Sequence, residues 1–134
     1  MTFPERQLMA EDLAVRVADR LRALGQPVRL RLVELLIGGP STPQELSEAL
    51  GLSQQNVSKH LLSLHRAGVL SRNPDGARVV YALRDETAVT TLQLTVDAVS
   101  RHLREMAEVA AGSSRIHLSV ADEQTDEPGQ HLAG

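Results

Sequence analysis

The sequence predicts a mainly helical protein with one small β-hairpin, and three observations support this fold class. Aromatic residues are nearly absent, because the 134 residues include one Phe and one Tyr. A core built instead from Leu, Val and Ala favours packed helices over a β-sandwich. Apolar residues recur at steps of three and four along most of the chain, which is typical of amphipathic helices. In one short segment, two runs with strand character flank a turn signal, which predicts the hairpin.

The composition excludes several kinds of protein. There is no cysteine, which excludes disulfides, thiolate metal sites and a cysteine nucleophile. No apolar run approaches membrane-spanning length, and the first residues do not resemble a signal peptide, so we expect a cytoplasmic protein with no membrane partner. An enzyme is not expected, because no Ser/His/Asp set, metalloprotease motif or phosphate-binding loop is present.

Charge is distributed unevenly along the chain, although its formal total is only −3. Between Ser53 and Arg84, five Lys and Arg residues stand against one acid, whereas residues 112–134 contain four acids and one Arg. The acidic C-terminal segment therefore makes the net charge of the chain negative although its middle is basic. The basic middle is where a nucleic-acid contact is expected.

The spacing of apolar residues and breakers predicts one domain between two tails. Residues 1–10 are expected to form a flexible arm, residues 11–111 the folded domain, and residues 112–134 a disordered acidic tail. In the domain, the first helix is predicted from Glu11 to Leu24 and the second from Pro27 to about Ile37. Each of these two helices is followed by glycine, a common C-terminal signal.

The next two helices are predicted to lie close together. Thr42-Pro43-Gln44-Glu45 has a capping residue, Pro at the first helical position and Glu at the third, which is a capping box. Gly51 ends this short helix, and Ser53 can cap the following one. The arrangement predicts a helix-turn-helix whose second helix reads DNA, with a plain αα-hairpin as the alternative.

The helix after Ser53 has two different faces. Val57, Leu61 and Leu64 form one apolar stripe that can dock on a core. The opposite face has no acid and consists of amides, hydroxyls and one cation: Gln54, Gln55, Ser58, Lys59 and Ser63. Amides can read base edges in the major groove, while hydroxyls and Lys can bind phosphates. An ordinary amphipathic surface helix is the alternative.

A β-hairpin is predicted from strands at 69–72 and 78–83, with the turn at 73–76. Its tip would hold Arg72, Asn73 and Arg78, where they could straddle a phosphate backbone or enter a minor groove. A solvated hairpin with ordinary surface arginines is the alternative.

The last helix is predicted from about Asp85 to Ala111. Its apolar residues alternate steps of three and four and form a narrow heptad seam, which favours packing against a second copy of the chain. The first helix could complete that interface. The predicted dimer residues are Leu13, Val17, Leu92, Val96, Val99, Leu103 and Met106.

Taken together, the segment from Leu21 to Leu83 resembles the ArsR/SmtB family of winged helix-turn-helix repressors. Three pieces carry the resemblance: the entry to the second helix at 24–32, the recognition helix at 53–61, and the wing, from Ala67-Gly68-Val69-Leu70 through Asp75-Gly76-Ala77-Arg78 to Val80-Tyr81. Two positions depart from the family pattern. Gln26 replaces a more common Asp or Ser cap, and Leu62 replaces a frequent Lys or Arg.

The resemblance implies a homodimeric repressor that binds a pseudo-palindromic double-stranded DNA operator and is released by an effector, often a metal ion. From the resemblance and the charge pattern together, the expected DNA-binding residues are Ser53, Gln54, Gln55, Asn56, Ser58, Lys59, His60, Arg66, Arg72 and Arg78. An effector-independent regulator and a winged-helix module that binds another protein are the alternatives.

The metal-binding motifs that the family can carry are largely missing. What remains is His102 and Glu105 at i, i+3 on the last helix, with His117 further along. These nitrogen and oxygen ligands would suit Zn or Ni as an effector. A solvent-facing histidine beside acids is the alternative, and we expect metal binding to be weak.

Overall fold

The computed structural model describes residues 7–125, with side chains described for residues 7–112. Five helices and one hairpin follow each other in the order α1 Glu11–Leu24, α2 Pro27–Ile37, α3 Pro43–Leu50, α4 Gln54–Arg66, β1 Leu70–Asp75, β2 Arg78–Leu83 and α5 Thr87–Thr125. The bounds predicted for α1, α2 and α3 and the predicted start of α4 are confirmed. The chain divides into two compact units, the first ending at Leu92 and the second beginning at Gln93.

The core of the first unit is aliphatic, as the composition predicted. Leucines and valines from α2, α4 and β1 are joined there by Tyr81 of β2 and the first turns of α5; the fully buried members are Leu32, Val33, Val57, Leu61, Leu64 and Leu70. Burying an aliphatic side chain of this size contributes about 1.5–3 kcal/mol. The apolar stripe of α4 therefore holds that helix against the core and leaves its polar face outward.

Two helix caps and one glycine define the ends of the helices in the helix-turn-helix. The Thr42 hydroxyl accepts a bond of 3.2 Å from Glu45 N–H, and the Glu45 carboxylate accepts one of 3.3 Å from Thr42 N–H, so the capping box is complete. Gly51 ends α3 at φ +68°, a left-handed conformation that favours glycine. Ser53 Oγ then accepts a 3.1 Å bond from Asn56 N–H and fixes the start of α4.

The hairpin is longer than predicted, because β1 continues through Asn73 and Pro74 to Asp75 and leaves a two-residue turn. Tyr81 explains why Pro74 is tolerated. Its backbone N–H and C=O bond to Ser41 at 2.9 and 3.0 Å, so they point away from β1. By the alternation of antiparallel pairs, Pro74 opposite Val79 is also a position whose N–H would point outward.

The last helix is also longer than predicted. The sequence places its end near Ala111, whereas α5 continues to Thr125. Glycine in a helix interior costs only about 1 kcal/mol relative to alanine, so Gly112 is compatible with a continuing helix and does not end α5. Residues 1–6 of the expected arm and residues 126–134 of the expected tail lie outside the described residues, and their disorder stays a prediction. In the described part of the chain, every helix is too short or too polar to span a bilayer.

Candidate nucleic-acid interface

The polar face of α4 is presented to solvent as predicted. Gln54, Gln55, Asn56 and Lys59 are exposed, and Ser58 is half-buried beside the buried Val57. No acid lies in the first turn of the helix. The face thus offers amide and hydroxyl groups and one ammonium, without a carboxylate on α4 to repel phosphate.

Ser53 has a structural task in addition to its expected DNA contact. Its hydroxyl oxygen accepts the capping bond from Asn56 N–H. Because a hydroxyl can donate and accept at once, the Ser53 proton is still available to a phosphate oxygen. The residue can therefore cap α4 and bind a backbone phosphate together.

His60 is half-buried and is held by a partner that the sequence did not reveal. Arg29 Nε–H of α2 donates a bond of 3.1 Å to His60 Nδ1, and Arg29 Nη1 donates one of 3.1 Å to the Ala23 carbonyl of α1. Burial, and then the charge of Arg29, lower the pKa of His60. Because Nδ1 accepts this bond, the neutral ring carries its proton on Nε2. His60 is then a neutral hydrogen-bond donor on α4, the helix predicted to read DNA and called the reader helix below.

The two wing arginines lie on opposite faces of the hairpin. Arg72 is opposite Tyr81 in the ladder and donates a 3.2 Å bond from Nε to the Tyr81 hydroxyl. Arg78 is exposed, next to the turn and opposite Asp75. Side chains alternate between the faces of a strand, so Arg72 and Arg78 point to opposite faces of the hairpin. Because β1 continues to Asp75, Arg72 also lies three residues before the end of the strand. The expectation that Arg72 lies at the tip with Arg78 is therefore wrong.

Two side chains hold the segments that follow α4. His65 Nδ1–H donates a 3.0 Å bond to the Leu70 carbonyl at the start of β1. Arg20 of α1 donates bonds of 3.3 Å to the Gly68 carbonyl and 2.7 Å to Thr87 Oγ1 at the start of α5. Both are positioning residues, since they hold the start of the wing and the first turn of α5 within the first unit.

Among the exposed apolar side chains, two sets are regularly spaced along one face of a helix. Leu13, Val17 and Leu21 form the α1 stripe, and Val96, Val99, Leu103 and Met106 form the α5 stripe. Members of the α5 stripe are 47–59 % exposed. Leu92 differs from the other predicted dimer residues, because it is buried in the core of its own chain. Leu21, at 54 % exposure, lies on the α1 stripe but is not among the predicted dimer residues.

Comparison with known proteins agrees with this geometry. A model described as a helix-turn-helix domain matches residues 24–72. The transcriptional regulator NmtR of Mycobacterium tuberculosis is 38 % identical over 109 residues, which are 81 % of this chain and 79 % of NmtR. The regulator CmtR of the same organism is 35 % identical over 101 residues, 73 % of this chain and 86 % of CmtR. The chain belongs to the ArsR/SmtB family.

A solved structure supports the family's fold. It is the homodimeric winged helix-turn-helix DNA-binding domain of a possible ArsR-family regulator from Mycobacterium bovis. It aligns with a TM-score of 0.66 over 77 % of this chain and 95 % of that domain, at 22 % identity. The fold is therefore the winged helix-turn-helix of ArsR/SmtB transcriptional regulators, and the relatives named here are regulators rather than enzymes.

The metal ion that membership of the ArsR/SmtB family implies does not fit the described side chains. His102 and Glu105 are exposed on α5, beside Met106, Val109 and Ala110. Among residues 7–112, no three His, Asp or Glu side chains gather closely enough to hold a metal. The third candidate, His117, lies outside the described side chains. Two ligands from one chain do not complete a tetrahedral site.

Proposed function

We propose that this ArsR/SmtB regulator is a homodimeric repressor that binds a pseudo-palindromic operator and is released by an effector. The observation that carries the proposal is the acid-free, exposed polar face of α4, capped by Ser53 and docked on the core by Val57, Leu61 and Leu64. Its amides can read base edges, and Lys59, Arg66 and Arg78 can bind flanking phosphates.

Dimerisation through α1 and α5 is the part of the proposal that the two stripes support. Each stripe leaves half-exposed aliphatic side chains in water on a regular helical face. A second copy would remove that surface from water, at about 25 cal/mol per Å² of apolar area. Two-fold symmetry would then present two α4 helices to two half-sites, which explains a pseudo-palindromic operator.

The test is selection of binding sites from random duplex DNA with the full chain, followed by titration of the selected site at several salt concentrations. We expect an inverted repeat to be enriched and the logarithm of its affinity to fall linearly with the logarithm of salt concentration. Asn56→Ala should reduce the preference for the repeat over scrambled DNA while leaving the fold intact. No enrichment and no salt-dependent binding would favour the alternative, a winged-helix module for a protein partner.

A further inference from the structure

A cleft lies beside the last turns of α4, within the first unit. It measures about 460 Å³ and is open to solvent. The end of α1, the start of α2 and the last turns of α4 form its walls, and the polar residues lining it are Asp19, Arg22, Gln26, Arg29, Ser63 and Arg66. Three guanidinium groups thus line the cleft with one carboxylate, which leaves an excess of positive charge.

The three arginines differ in how many of their donors are occupied. Arg22 is paired with Asp19 at 2.8 Å, and both side chains are largely exposed. Arg29 uses Nε and Nη1 for His60 and Ala23, so its Nη2 is not used in those bonds. Arg66 is exposed, and none of the hydrogen bonds or ion pairs of the described residues includes it. The cleft therefore contains guanidinium donors whose present partners do not satisfy them.

A phosphate group matches this set of donors. Guanidinium groups bind phosphate oxygens in pairs, with charge-assisted bonds stronger than neutral ones. The Ser63 hydroxyl and the Gln26 amide can add neutral bonds from the same walls. Gln26 is also the N-cap of α2 and makes no side-chain capping bond.

The cleft is continuous with the surface proposed to face DNA. Lys59, Ser63 and Arg66 are spaced i, i+4 and i+7 on α4, so they share one face of the helix. Lys59 belongs to the exposed polar face of α4, whereas Ser63 and Arg66 line the cleft. The Arg29–His60 bond is a second connection between the cleft and α4.

We propose that the cleft between α1, α2 and α4 binds a phosphate group, held by Arg22, Arg29 and Arg66. The group comes either from the DNA backbone beside the operator or from a free phosphate compound. The Lys59–Ser63–Arg66 face favours the backbone, in which case the inference rests on the proposed function. It adds a contact from α1 and α2 to those of the reader helix and the wing.

The experiment uses the full chain and the variants Arg22→Gln and Arg66→Gln, with Arg31→Gln as the matched control. Arg31 is an exposed arginine of α2 that does not line the cleft. In the first arm, inorganic phosphate is titrated into the DNA-free protein by calorimetry. In the second arm, operator affinity is measured against salt concentration in a phosphate-free buffer.

We expect each cleft variant to flatten the salt slope by about one unit, as loss of one phosphate contact should, and Arg31→Gln to leave it unchanged. Phosphate binding without DNA that is lost only in the cleft variants would support the site with a free ligand as its source. Because Arg66 is already a proposed phosphate contact of α4, Arg22→Gln is the deciding variant. Unchanged behaviour of Arg22→Gln in both arms, or an equal effect of Arg31→Gln, would overturn the proposal. If the wild-type chain binds no operator, the proposed function fails, and the first arm still decides the cleft.

Discussion

Arg29 Nε lies 3.1 Å from His60 Nδ1, and this bond joins α2 to the reader helix. The same guanidinium bonds to the Ala23 carbonyl, so one side chain sets the positions of three helices. The bond requires an unprotonated Nδ1, because a guanidinium can only donate. This link between α2 and α4 therefore depends on the protonation state of His60.

The first prediction concerns pH. Histidine protonates near pH 6.5 in an unfolded chain, whereas burial and Arg29 lower the pKa of His60 in the folded chain. Below about pH 6.5 the unfolded state thus binds more protons, so stability falls as pH falls and levels off below the folded pKa. His60→Gln keeps an acceptor for Arg29 but does not titrate. We expect thermal unfolding from about pH 7.5 to about pH 5 to show a smaller loss of Tm in this variant than in the wild type.

The matched control is His102→Gln, which removes an exposed histidine from α5. It should lose as much Tm on acidification as the wild type. The same loss of Tm in His60→Gln and in the wild type would show that the Arg29–His60 bond does not control the acid response.

The second prediction separates base contacts from phosphate contacts. Gln54→Ala should lower affinity for the operator more than for scrambled DNA, by roughly 1–3 kcal/mol if the amide makes a bidentate contact. Lys59→Ala and Arg78→Ala should weaken binding to both DNAs alike and flatten the salt slope by about one unit each. Fluorescence anisotropy titrations on the two duplexes measure both effects. Equal loss of specificity in all three variants would contradict these assignments.

The third prediction concerns the helix-turn-helix itself. Thr42 is buried, and its hydroxyl accepts the bond from Glu45 N–H that begins α3. Thr42→Ala should reduce the free energy of unfolding by about 1 kcal/mol, as loss of an N-cap usually does. Thr42→Ser keeps the hydroxyl and should be nearly neutral in urea denaturation. A similar loss in both variants would show that the methyl group, rather than the cap, stabilises this position.

The fourth prediction concerns the dimer. Val99 and Leu103 lie on the α5 stripe and are 51 % and 59 % exposed. Replacing both with Asp would place charges in the proposed apolar interface, where burial of an unpartnered charge is strongly unfavourable. Sedimentation velocity should then show monomers, and operator binding should collapse. Ala98→Asp together with Arg101→Asp is the control on exposed positions away from the stripe. A stripe variant that stays dimeric would place the interface elsewhere.

The elements that the sequence predicted well are those with local signals. The start of α2, both ends of α3 and the start of α4 follow from Pro27, the capping box at Thr42, the turn at Gly51 and the cap at Ser53. Such signals act within a few residues, where backbone groups must find partners. The polar face of α4 follows from helical periodicity alone.

The features that the sequence did not predict depend on contacts between distant segments. The extension of β1 past Pro74 depends on the register of the hairpin, in which Tyr81 bonds to Ser41 on the other edge of β2. The bonds of Arg29 to His60 and of Arg20 to Gly68 join residues 31 and 48 positions apart. The sequence alone does not show that either arginine has such a hydrogen-bond partner. Leu92 fits the heptad seam, but the first turns of α5 pack on their own core.

The last prediction concerns the effector. Without cysteine, the protein cannot sense arsenite or oxidants through a thiol, so neither should release it from DNA. Electrophoretic mobility shifts with and without arsenite or hydrogen peroxide check this. Release by either reagent would require chemistry at a residue other than cysteine.

A metal effector would have to use histidine and carboxylate ligands, and His102 with Glu105 is the best pair among residues 7–112. Because this pair lacks a third described ligand, we expect Zn and Ni to bind weakly, and more weakly still as pH falls, since protonated imidazole cannot ligate. His102→Ala should leave operator binding intact with or without either metal. Calorimetry of the wild type and His102→Ala, together with mobility shifts, measures both expectations. Tight stoichiometric binding that disappears in His102→Ala, with a matching loss of metal-induced release from DNA, would instead establish a metal sensor whose site is completed by further ligands.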